Sequence, residues 1–319
     1  MRGTAHYPSP MRERYTTEHV EAWRRDGALV IPRFFDADEV AAVAADFREV
    51  FGQETGADQA LQRAPGGSAS FSPAQFKTID SIPFACSSAL NLIGLHPALV
   101  AFARARLETD DVHLYQCQAW AKYTGAADYE QPFHCDFLNH TLTVPDDDDR
   151  QNSVTIICYF TDATEALGPT HYVVRPDSDR VLGQGAASAG DRPAVADLDT
   201  LLAPFDRSTA APAGSIFAYG IDVYHRGSNL TAPRGHRYTV TACFKRAGDE
   251  AIGFTAWPVS LTKPWGRIFE HATPDQLACL GVPRPGHPFW TATTIARNQA
   301  RHPGWDAAPY REALERRAG

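Results

Sequence analysis

Apolar residues in the first third of the chain recur at the spacing of a helix. Val40, Val43, Phe47 and Phe51 form such a series directly after the acidic segment 36–39. That segment places a side-chain acceptor at the cap position and a glutamate three residues later, which is the pattern of a capping box. Together the two features predict an amphipathic helix over 37–51.

The other predicted elements of this third are shorter. Residues 16–27 predict a helix that ends at Gly27, because glycine readily adopts the left-handed conformation of a helix cap. Residues 29–31 predict a strand that Pro32 ends, and further helices are predicted over 87–94 and 97–107. The segment 52–73 is rich in Gly, Ala, Gln and Ser, which predicts a mobile loop.

Beyond Asp110 the spacing of apolar residues changes from helical to alternating. Strands are predicted over 111–123, 154–160, 214–219 and 238–244, with turn residues between them. A helical third followed by spaced strands predicts an α+β fold. We expect a double-stranded β-helix, which is a cupin-like jelly roll, with the N-terminal helices packed on it.

A single domain over 1–319 accommodates this length without a second core. We expect a helical part over about 16–108, a jelly-roll core over about 109–247 and a C-terminal extension over about 248–319. The extension should pack over the sandwich as helices and loops, or form one wall of the jelly-roll mouth. Its tryptophans should be core or oligomer contacts. They are Trp257, Trp265, Trp290 and Trp305.

The net charge and the spacing of the cysteines argue against several classes of protein. The formal net charge is −8 and the basic residues are scattered, which argues against a nucleic-acid partner. None of the 6 cysteines falls in a C-x-x-C pair, so neither a zinc ribbon nor a disulfide framework is indicated. The N-terminus lacks a signal-peptide core, and no apolar run approaches the ~20 residues of a membrane span. These features predict a reduced, cytoplasmic protein without a membrane partner.

Three candidate metal ligands stand out: His134, Asp136 and, much later in the chain, His225. On a strand, side chains two positions apart point to the same side. His134 and Asp136 would therefore face one metal, while Cys135 points away as a packing residue. Two histidines and one carboxylate form the facial triad of non-haem Fe(II) oxygenases, which leaves coordination positions open. The sequence therefore predicts an iron enzyme.

Several segments resemble the phytanoyl-CoA dioxygenase family of Fe(II)/2-oxoglutarate-dependent oxygenases, over roughly residues 16–246. The opening helix, glycine and strand fit the family, as do His96-Pro97 and the helix after them. Lys-Tyr-Thr-Gly at 122–125 and Gly-Pro-Thr at 168–170 match as well. The most specific stretch is 225–237, HRGSNLTAPRGHR, which is close to the family's distal-histidine motif in order and spacing. A bare H-x-D is a weak signal, but together with this stretch it is strong.

The resemblance implies a cofactor set of Fe(II), 2-oxoglutarate and O2. An arginine would hold the far carboxylate of 2-oxoglutarate, because a guanidinium grips a carboxylate with two charge-assisted hydrogen bonds. Arg237, at the start of a predicted strand, is favoured over Arg234, which lies in a Pro-Arg-Gly turn. Gln118 resembles a position that contacts 2-oxoglutarate in relatives, and Lys77 is a further candidate for such a contact.

The implied reaction is the oxidative decarboxylation of 2-oxoglutarate by O2 to succinate and CO2. We expect it to be coupled to hydroxylation of a small molecule of the secondary-metabolite type. Related halogenases replace the carboxylate ligand with a small residue, so Asp136 disfavours halogenation. Desaturation, epimerisation and ring formation stay open, because they depend on where the substrate lies. Nothing in the sequence indicates the oligomeric state.

Two other functions compete with this one. A non-redox cupin-type isomerase or lyase would use the metal and make no use of Arg237. A binding module that keeps the fold is disfavoured, because a buried polar cluster is costly unless a metal or a partner satisfies it. Asn139 and His140 either face the substrate or lie at the surface. The acids Asp146 to Asp149 are interpreted as a solvated loop tip.

Overall fold

The computed structural model describes residues 13–52, 79–124, 130–141, 153–188, 195–249, 251–253 and 263–318. The predicted loop over 52–73 lies outside these ranges from residue 53 onward. Asp146 to Asp149, Lys77 and Trp257 also lie outside them. Within the described ranges, helices surround antiparallel sheets, which confirms the predicted α+β class.

The N-terminal helices form where the spacing of apolar residues predicts them. Gly27 ends the first helix with a φ of 76°, the left-handed conformation predicted for it. Asp36 and Glu39 form the predicted capping box of the second. The helices are α1 (Thr17–Asp26), α2 (Ala37–Phe51), α3 (Ser88–Ile93) and α4 (Pro97–Leu107).

The stretch Ser88–Leu107 corrects one expectation. The most apolar 18-residue window of its 20 residues reaches a mean hydropathy of 1.2, so by length and composition alone it could cross a membrane. It consists of α3 and α4, however, and 67% of its most apolar window is buried inside the protein. Asn91 of α3 is fully buried and bonds the backbone of Phe84 through both its amide oxygen and its amide nitrogen. We therefore assign the stretch to the core.

A buried ion-pair network joins α2 to α4. His96 Nδ1 accepts from the backbone N–H of Ala98 and so caps α4, which leaves Nε2 to donate to Glu39 Oε1 at 3.0 Å. Arg14 also pairs with Glu39. Burial alone would raise the pKa of Glu39, but the hydrogen bonds from His96 and Arg14 lower it to about 2. His96 is thus a structural histidine.

The larger of the two sheets has six strands, and every pair is antiparallel. Its edge strands β1 and β2 come from the N-terminal part, so that part supplies more than helices. In sheet order the strands are β1 (Ala28–Ile31), β7 (Ile216–Gly220), β4 (Val154–Tyr159), β9 (His236–Arg246), β3 (Val112–Tyr123) and β2 (Ile79–Ser81). The long strands β3 and β9 pair along almost their whole length.

The smaller sheet has three short strands: β6 (Arg207–Ser208), β5 (Thr170–Tyr172) and β8 (His225–Gly227). Short helices accompany it: α5 (Phe137–His140), α6 (Arg175–Leu182) and α7 (Val195–Leu202). The sequence did not predict these helices, because each is short and α6 buries only Ser178. Two sheets with this strand pairing agree with the predicted double-stranded β-helix.

The two faces of β3 have different partners. Cys117, Ala119 and Ala121 belong to the apolar cluster formed with the N-terminal helices. Side chains of the opposite face, among them Trp120 and Lys122, line an internal cavity. Since side chains alternate along a strand, the sheet separates an apolar core from a polar interior.

The C-terminal part packs on the apolar core through its helices α8 (Gly266–His271), α9 (Pro274–Ala278), α10 (Ala292–Arg301) and α11 (Ala308–Ala318). Trp265, Trp290 and Trp305 are all buried in the main cluster, as the core interpretation predicted. Trp290 and Trp305 contact Tyr310 at ring distances of 4.8 and 4.7 Å. Residues 263–318 therefore pack on the apolar core, whereas residues 254–262 of the extension lie outside the described residues.

Candidate metal centre

The backbone brings His134 and His225 together. They form an antiparallel β-bridge, in which each residue's N–H donates to the other's carbonyl oxygen at 3.0 and 2.8 Å. Asp136 lies two residues beyond the bridge in the right-handed helical conformation and caps α5. The expectation that the H-x-D motif lies on a regular strand is therefore wrong. A single bridge followed by a helical turn places His134 and Asp136 on the same side.

The ligand atoms of His134, Asp136 and His225 all lie within 4.8 Å of one another. His225 Nε2 is 3.7 Å from Asp136 Oδ2, and the two imidazole centroids are 4.5 Å apart. Ligands bound facially at 2.0–2.2 Å lie about 3 Å from each other, so only a small contraction is needed to close around a metal. The predicted triad is thus brought together in space.

Both imidazoles are held in the tautomer that binds metal through Nε2. His134 Nδ1 lies 2.9 Å from Pro132 O, and His225 Nδ1 lies 3.0 Å from Val223 O. A carbonyl oxygen only accepts, so each Nδ1 carries the proton and donates. The lone pair of each Nε2 is therefore available to a metal, and the ring orientation is fixed by the backbone.

Electrostatics favour the charge states that a metal requires. Burial lowers the pKa of His225 to about 4, although Asp136 opposes this shift. Burial alone would raise the pKa of Asp136, but the neighbouring histidines and a hydrogen bond from Tyr219 lower it. At neutral pH the site therefore holds a neutral His225 and an ionised Asp136, which are the forms that coordinate a cation.

Tyr219 of β7 stands beside the triad. Its hydroxyl is 3.3 Å from Asp136 Oδ2 and 3.4 Å from His225 Nε2. Burial, followed by the charge of Asp136, raises the pKa of Tyr219 well above its usual value, so the phenol stays protonated. It therefore donates to the carboxylate and orients Asp136.

Cys135 points away from the ligands, as predicted. Its side chain is buried in a small apolar cluster with Phe133 and Phe137. Its thiol donates to Ala187 O at 3.3 Å. The residue between the two ligands therefore anchors the motif in the core.

An internal cavity of about 110 Å³ connects the triad to the inner face of the larger sheet. The residues that line it are Gln116, Trp120, Lys122, Gln131, His134, Asp136, His140, Ile157, Thr170, Tyr219, His225, Gly227, Arg237, Thr241 and Cys243. The candidate metal ligands and Arg237 therefore face one cavity.

Arg237 is 4% exposed, whereas Arg234 is exposed in the turn before β9. Within the described part of the chain, Arg237 Nε and Nη1 are buried and have no hydrogen-bond partner. Two buried guanidinium nitrogens without partners are costly, so they fit an anion that binds in the cavity. The preference for Arg237 over Arg234 agrees with this geometry.

The structure places the other candidate site residues, Gln118, Lys77 and His140, in different surroundings. Gln118 points to the inner face of the sheet, where its side-chain oxygen accepts a hydrogen bond from Gln116 Nε2 at 2.8 Å. Of these two residues, Gln116 lines the cavity. Lys77 lies outside the described residues. His140 lines the cavity and is 2.9 Å from the hydroxyl of Tyr115, so of its two alternatives it faces the interior. The roles of these residues stay predictions.

Lys122, Gln131 and Tyr219 were not identified as site residues from the sequence. A signal existed for Lys122, because a lysine between the apolar strand residues Ala121 and Tyr123 is unusual. The position of Tyr219 depends on the pairing of β7 with β4, which places it opposite Thr155. Gln131 accepts from the backbone N–H of Gly227 at 2.8 Å. Contacts between segments that are far apart in the chain produce no recognisable pattern in the local sequence, so these residues could not be predicted from it.

A model of the family described as phytanoyl-CoA dioxygenase matches residues 23–194. This is more than half of the chain, and it includes His134 and Asp136. His225 and Arg237 follow the matched region. A search of curated proteins finds no match.

Solved structures with similar folds are related to this chain at low identity. The α-ketoglutarate-dependent carbocyclase SnoK from nogalamycin biosynthesis is 17% identical with a TM-score of 0.51, over 73% of this chain and 85% of SnoK. The epimerase SnoN from the same biosynthesis is 17% identical with a TM-score of 0.50, over 72% of this chain and 81% of SnoN. AviO1 from Streptomyces viridochromogenes Tue57 is 15% identical with a TM-score of 0.50, over 76% and 98%. At these identities the similarity shows the fold.

Replacing Tyr219 tests its contact with Asp136. Tyr219→Phe keeps the ring and removes the hydroxyl, and we expect the affinity for Fe(II) to fall about tenfold, because outer hydrogen bonds orient metal ligands. Anaerobic titration calorimetry with Fe(II) measures the change.

Tyr310→Phe is the matched control for this experiment. Tyr310 is also fully buried, and its hydroxyl has no hydrogen-bond partner among the described residues. Its removal should leave the Fe(II) affinity unchanged. Equal affinities in the Tyr219→Phe variant and the unsubstituted protein would contradict the orienting role.

Proposed function

Because this chain belongs to the phytanoyl-CoA dioxygenase family of iron- and 2-oxoglutarate-dependent enzymes, we propose that it hydroxylates a small molecule, with 2-oxoglutarate converted to succinate and CO2. The observation that carries this proposal is the buried guanidinium of Arg237, whose Nε and Nη1 have no hydrogen-bond partner among the described residues, in the cavity of the His134, Asp136 and His225 triad. A metal site needs the triad, whereas a carboxylate co-substrate needs the arginine as well.

Each residue has a defined part in this function. His134 and His225 would bind iron through Nε2, and Asp136 through its carboxylate. Three protein ligands would leave coordination positions for 2-oxoglutarate and O2. The iron supplies the oxidising chemistry, in which O2 converts 2-oxoglutarate to succinate and CO2. The protein binds, orients and excludes water.

Arg237 would hold the distal carboxylate of 2-oxoglutarate. Its guanidinium presents a planar set of donors that matches two carboxylate oxygens. Burial lowers the pKa of Arg237, but arginine keeps its charge in proteins. The cation is therefore permanent, and among the described residues no carboxylate forms an ion pair with it, so the distal carboxylate of the co-substrate would neutralise it.

Hydroxylation is the outcome we favour for the substrate. Hydroxylation places an oxygen atom on the same carbon that loses hydrogen. Unlike desaturation or ring formation, it therefore requires no second reacting position on the substrate. Asp136 fills the place that a halide ligand would need, which argues against halogenation. SnoN and SnoK are described as an epimerase and a carbocyclase, so closely related folds host other outcomes.

A non-redox metalloenzyme is the second candidate function. The triad alone would serve a cupin-type isomerase or lyase. That function gives no ligand to Arg237, whose buried Nε and Nη1 have no hydrogen-bond partner in the part of the chain that the structure describes, and this argues against it.

Substitution of Arg237 separates the two candidates. With Arg237→Ala we expect the affinity for 2-oxoglutarate to fall by about 100-fold or more, because truncating one member of a buried charge pair costs several kcal/mol. Titration calorimetry with 2-oxoglutarate on Mn(II)-loaded protein measures this change.

Arg234→Ala is the matched control, because Arg234 is exposed three residues earlier in the chain. It should bind 2-oxoglutarate with unchanged affinity. If the Arg237→Ala variant bound as tightly as the unsubstituted protein, the assignment of Arg237 would be wrong. If the unsubstituted protein bound no 2-oxoglutarate at all, the non-redox function would be favoured.

Isotope labelling tests the reaction outcome. Once succinate release identifies a substrate, turnover under ¹⁸O2 should give a product heavier by one ¹⁸O atom, as mass spectrometry would show. Control turnover under ¹⁶O2 in H2¹⁸O reports exchange with solvent. A product without oxygen from either source would replace hydroxylation with desaturation, epimerisation or ring formation.

A further inference from the structure

The two candidate histidine ligands are held by unequal amounts of backbone pairing. His225 lies within strand β8, which pairs with β5. In the described part of the chain His134 belongs to no strand, and an isolated β-bridge joins it to His225. A metal ligand has to be held in a fixed orientation by its surroundings. The imidazole of His134 therefore needs support from another element.

Asp199 of α7 supplies such support. Its Oδ1 accepts a hydrogen bond from the backbone N–H of Phe133 at 2.7 Å. This is the distance of a charge-assisted hydrogen bond from an N–H to a carboxylate. Phe133 directly precedes His134, so Asp199 contacts the backbone of the metal-binding segment from outside the cavity.

The contact acts on one rigid unit of the backbone. The N–H of Phe133 and the carbonyl of Pro132 belong to the same peptide group, which is planar and trans. Its N–H and its oxygen therefore point in opposite directions. The N–H donates to Asp199, and the oxygen accepts from His134 Nδ1 at 2.9 Å. A carboxylate, a peptide group and an imidazole thus form a continuous series of hydrogen bonds that leads to Nε2 of His134.

This series orients the imidazole in two ways. If the peptide group rotated, its oxygen would move away from His134 Nδ1, and Asp199 resists the rotation because its own hydrogen bond would break as well. Hydrogen bonds in series also polarise one another, so an anion at the N–H makes the carbonyl a stronger acceptor for the Nδ1 proton. Both effects favour the tautomer in which the Nε2 lone pair is free for a metal.

Helix α7 is anchored against the same segment. Leu198 is 3% exposed and Leu202 is fully buried, and both belong to the apolar cluster that contains Phe133 and Cys135. They lie four residues apart and so on one face of the helix. The position of Asp199 is therefore fixed by packing, and its carboxylate is carried by a helix rather than by a loop.

We propose that Asp199 is a positioning residue of the metal centre, which orients the imidazole of His134 through the peptide group between Pro132 and Phe133. This assignment rests on the part of the proposed function that gives the triad a metal, and it needs neither 2-oxoglutarate nor hydroxylation. Asp199 does not line the cavity, so it acts only through His134.

Two substitutions test the hydrogen bond itself. Asp199→Ala removes the acceptor, and we expect the affinity for Fe(II) to fall about tenfold, as for the loss of other outer contacts of metal ligands. Asp199→Asn keeps an acceptor oxygen without the charge, so its affinity should lie within about threefold of that of the unsubstituted protein. Anaerobic titration calorimetry with Fe(II) measures both.

NMR of the metal-free protein gives a readout that a general loss of stability would not produce. With ¹⁵N-labelled histidine, the shifts of the two ring nitrogens report which of them carries the proton, and His134→Ala assigns the signals of His134. In the unsubstituted protein we expect the proton on Nδ1 alone. In Asp199→Ala we expect a mixture of both tautomers, whereas Asp199→Asn should keep the original pattern.

Asp197→Ala is the matched control. Asp197 is exposed on the same helix, two residues before Asp199, so its substitution also removes a carboxylate from α7. It should change neither the Fe(II) affinity nor the signals of His134. If Asp199→Ala does not fold, Asp199→Ser gives the same comparison, because its shorter side chain stops short of the Phe133 N–H.

The failures are distinguishable. If the unsubstituted protein binds Fe(II) but no 2-oxoglutarate, the proposed function falls alone. If it binds no Fe(II), both fall. If Asp199→Ala binds Fe(II) as tightly as the unsubstituted protein, only the role of Asp199 is contradicted. Weaker Fe(II) binding with an unchanged His134 tautomer would show that α7 supports the site in a general way, which also contradicts the positioning role.

Discussion

The rest of this structure depends on one constraint: charged and metal-binding side chains lie between two sheets, where each of them needs a partner. A buried polar group is costly unless it has a partner, and a buried charge more so. The protein satisfies part of this requirement itself: backbone carbonyls take the Nδ1 protons of His134 and His225, and Tyr219 donates to Asp136. Among the described residues that line the cavity, Nε and Nη1 of Arg237 have no hydrogen-bond partner. A buried cation without a partner thus indicates that the ligand of the site carries a negative charge.

The sheets provide the rigidity that such a site needs. Strands β3 and β9 pair over a long register, with the apolar core and the N-terminal helices behind them. Their other face is turned to the cavity, so Arg237 is positioned by β9 and His225 by β8, whereas His134 is held by its β-bridge to His225. Functional groups on regular elements are held more precisely than groups on loops. A ligand with one end that chelates a metal and a distal carboxylate fits this division of the cavity.

Sequence patterns predicted the fold class and the triad, and they failed where long-range register decides. The helix over 37–51 follows from its own spacing and capping box, and Gly27 caps its helix as predicted. His134 and Asp136 do face one site, but through a single β-bridge and a helical turn instead of a regular strand. Lys122 and Tyr219 reach the cavity through the pairing of β3 with β9 and of β7 with β4. No local pattern encodes those pairings, so these residues could be recognised only in the folded chain.

The most direct test of the central claim is an anaerobic absorbance titration of the metal-free protein, first with Fe(II) and then with 2-oxoglutarate. A keto acid that chelates iron gives a weak visible charge-transfer band, and Fe(II) alone does not. If iron and 2-oxoglutarate meet in this cavity, the band appears only when both are present and saturates at one equivalent of each. A protein that binds Fe(II) and shows no band at saturating 2-oxoglutarate would contradict the account, and the site would then be that of a non-redox metalloenzyme.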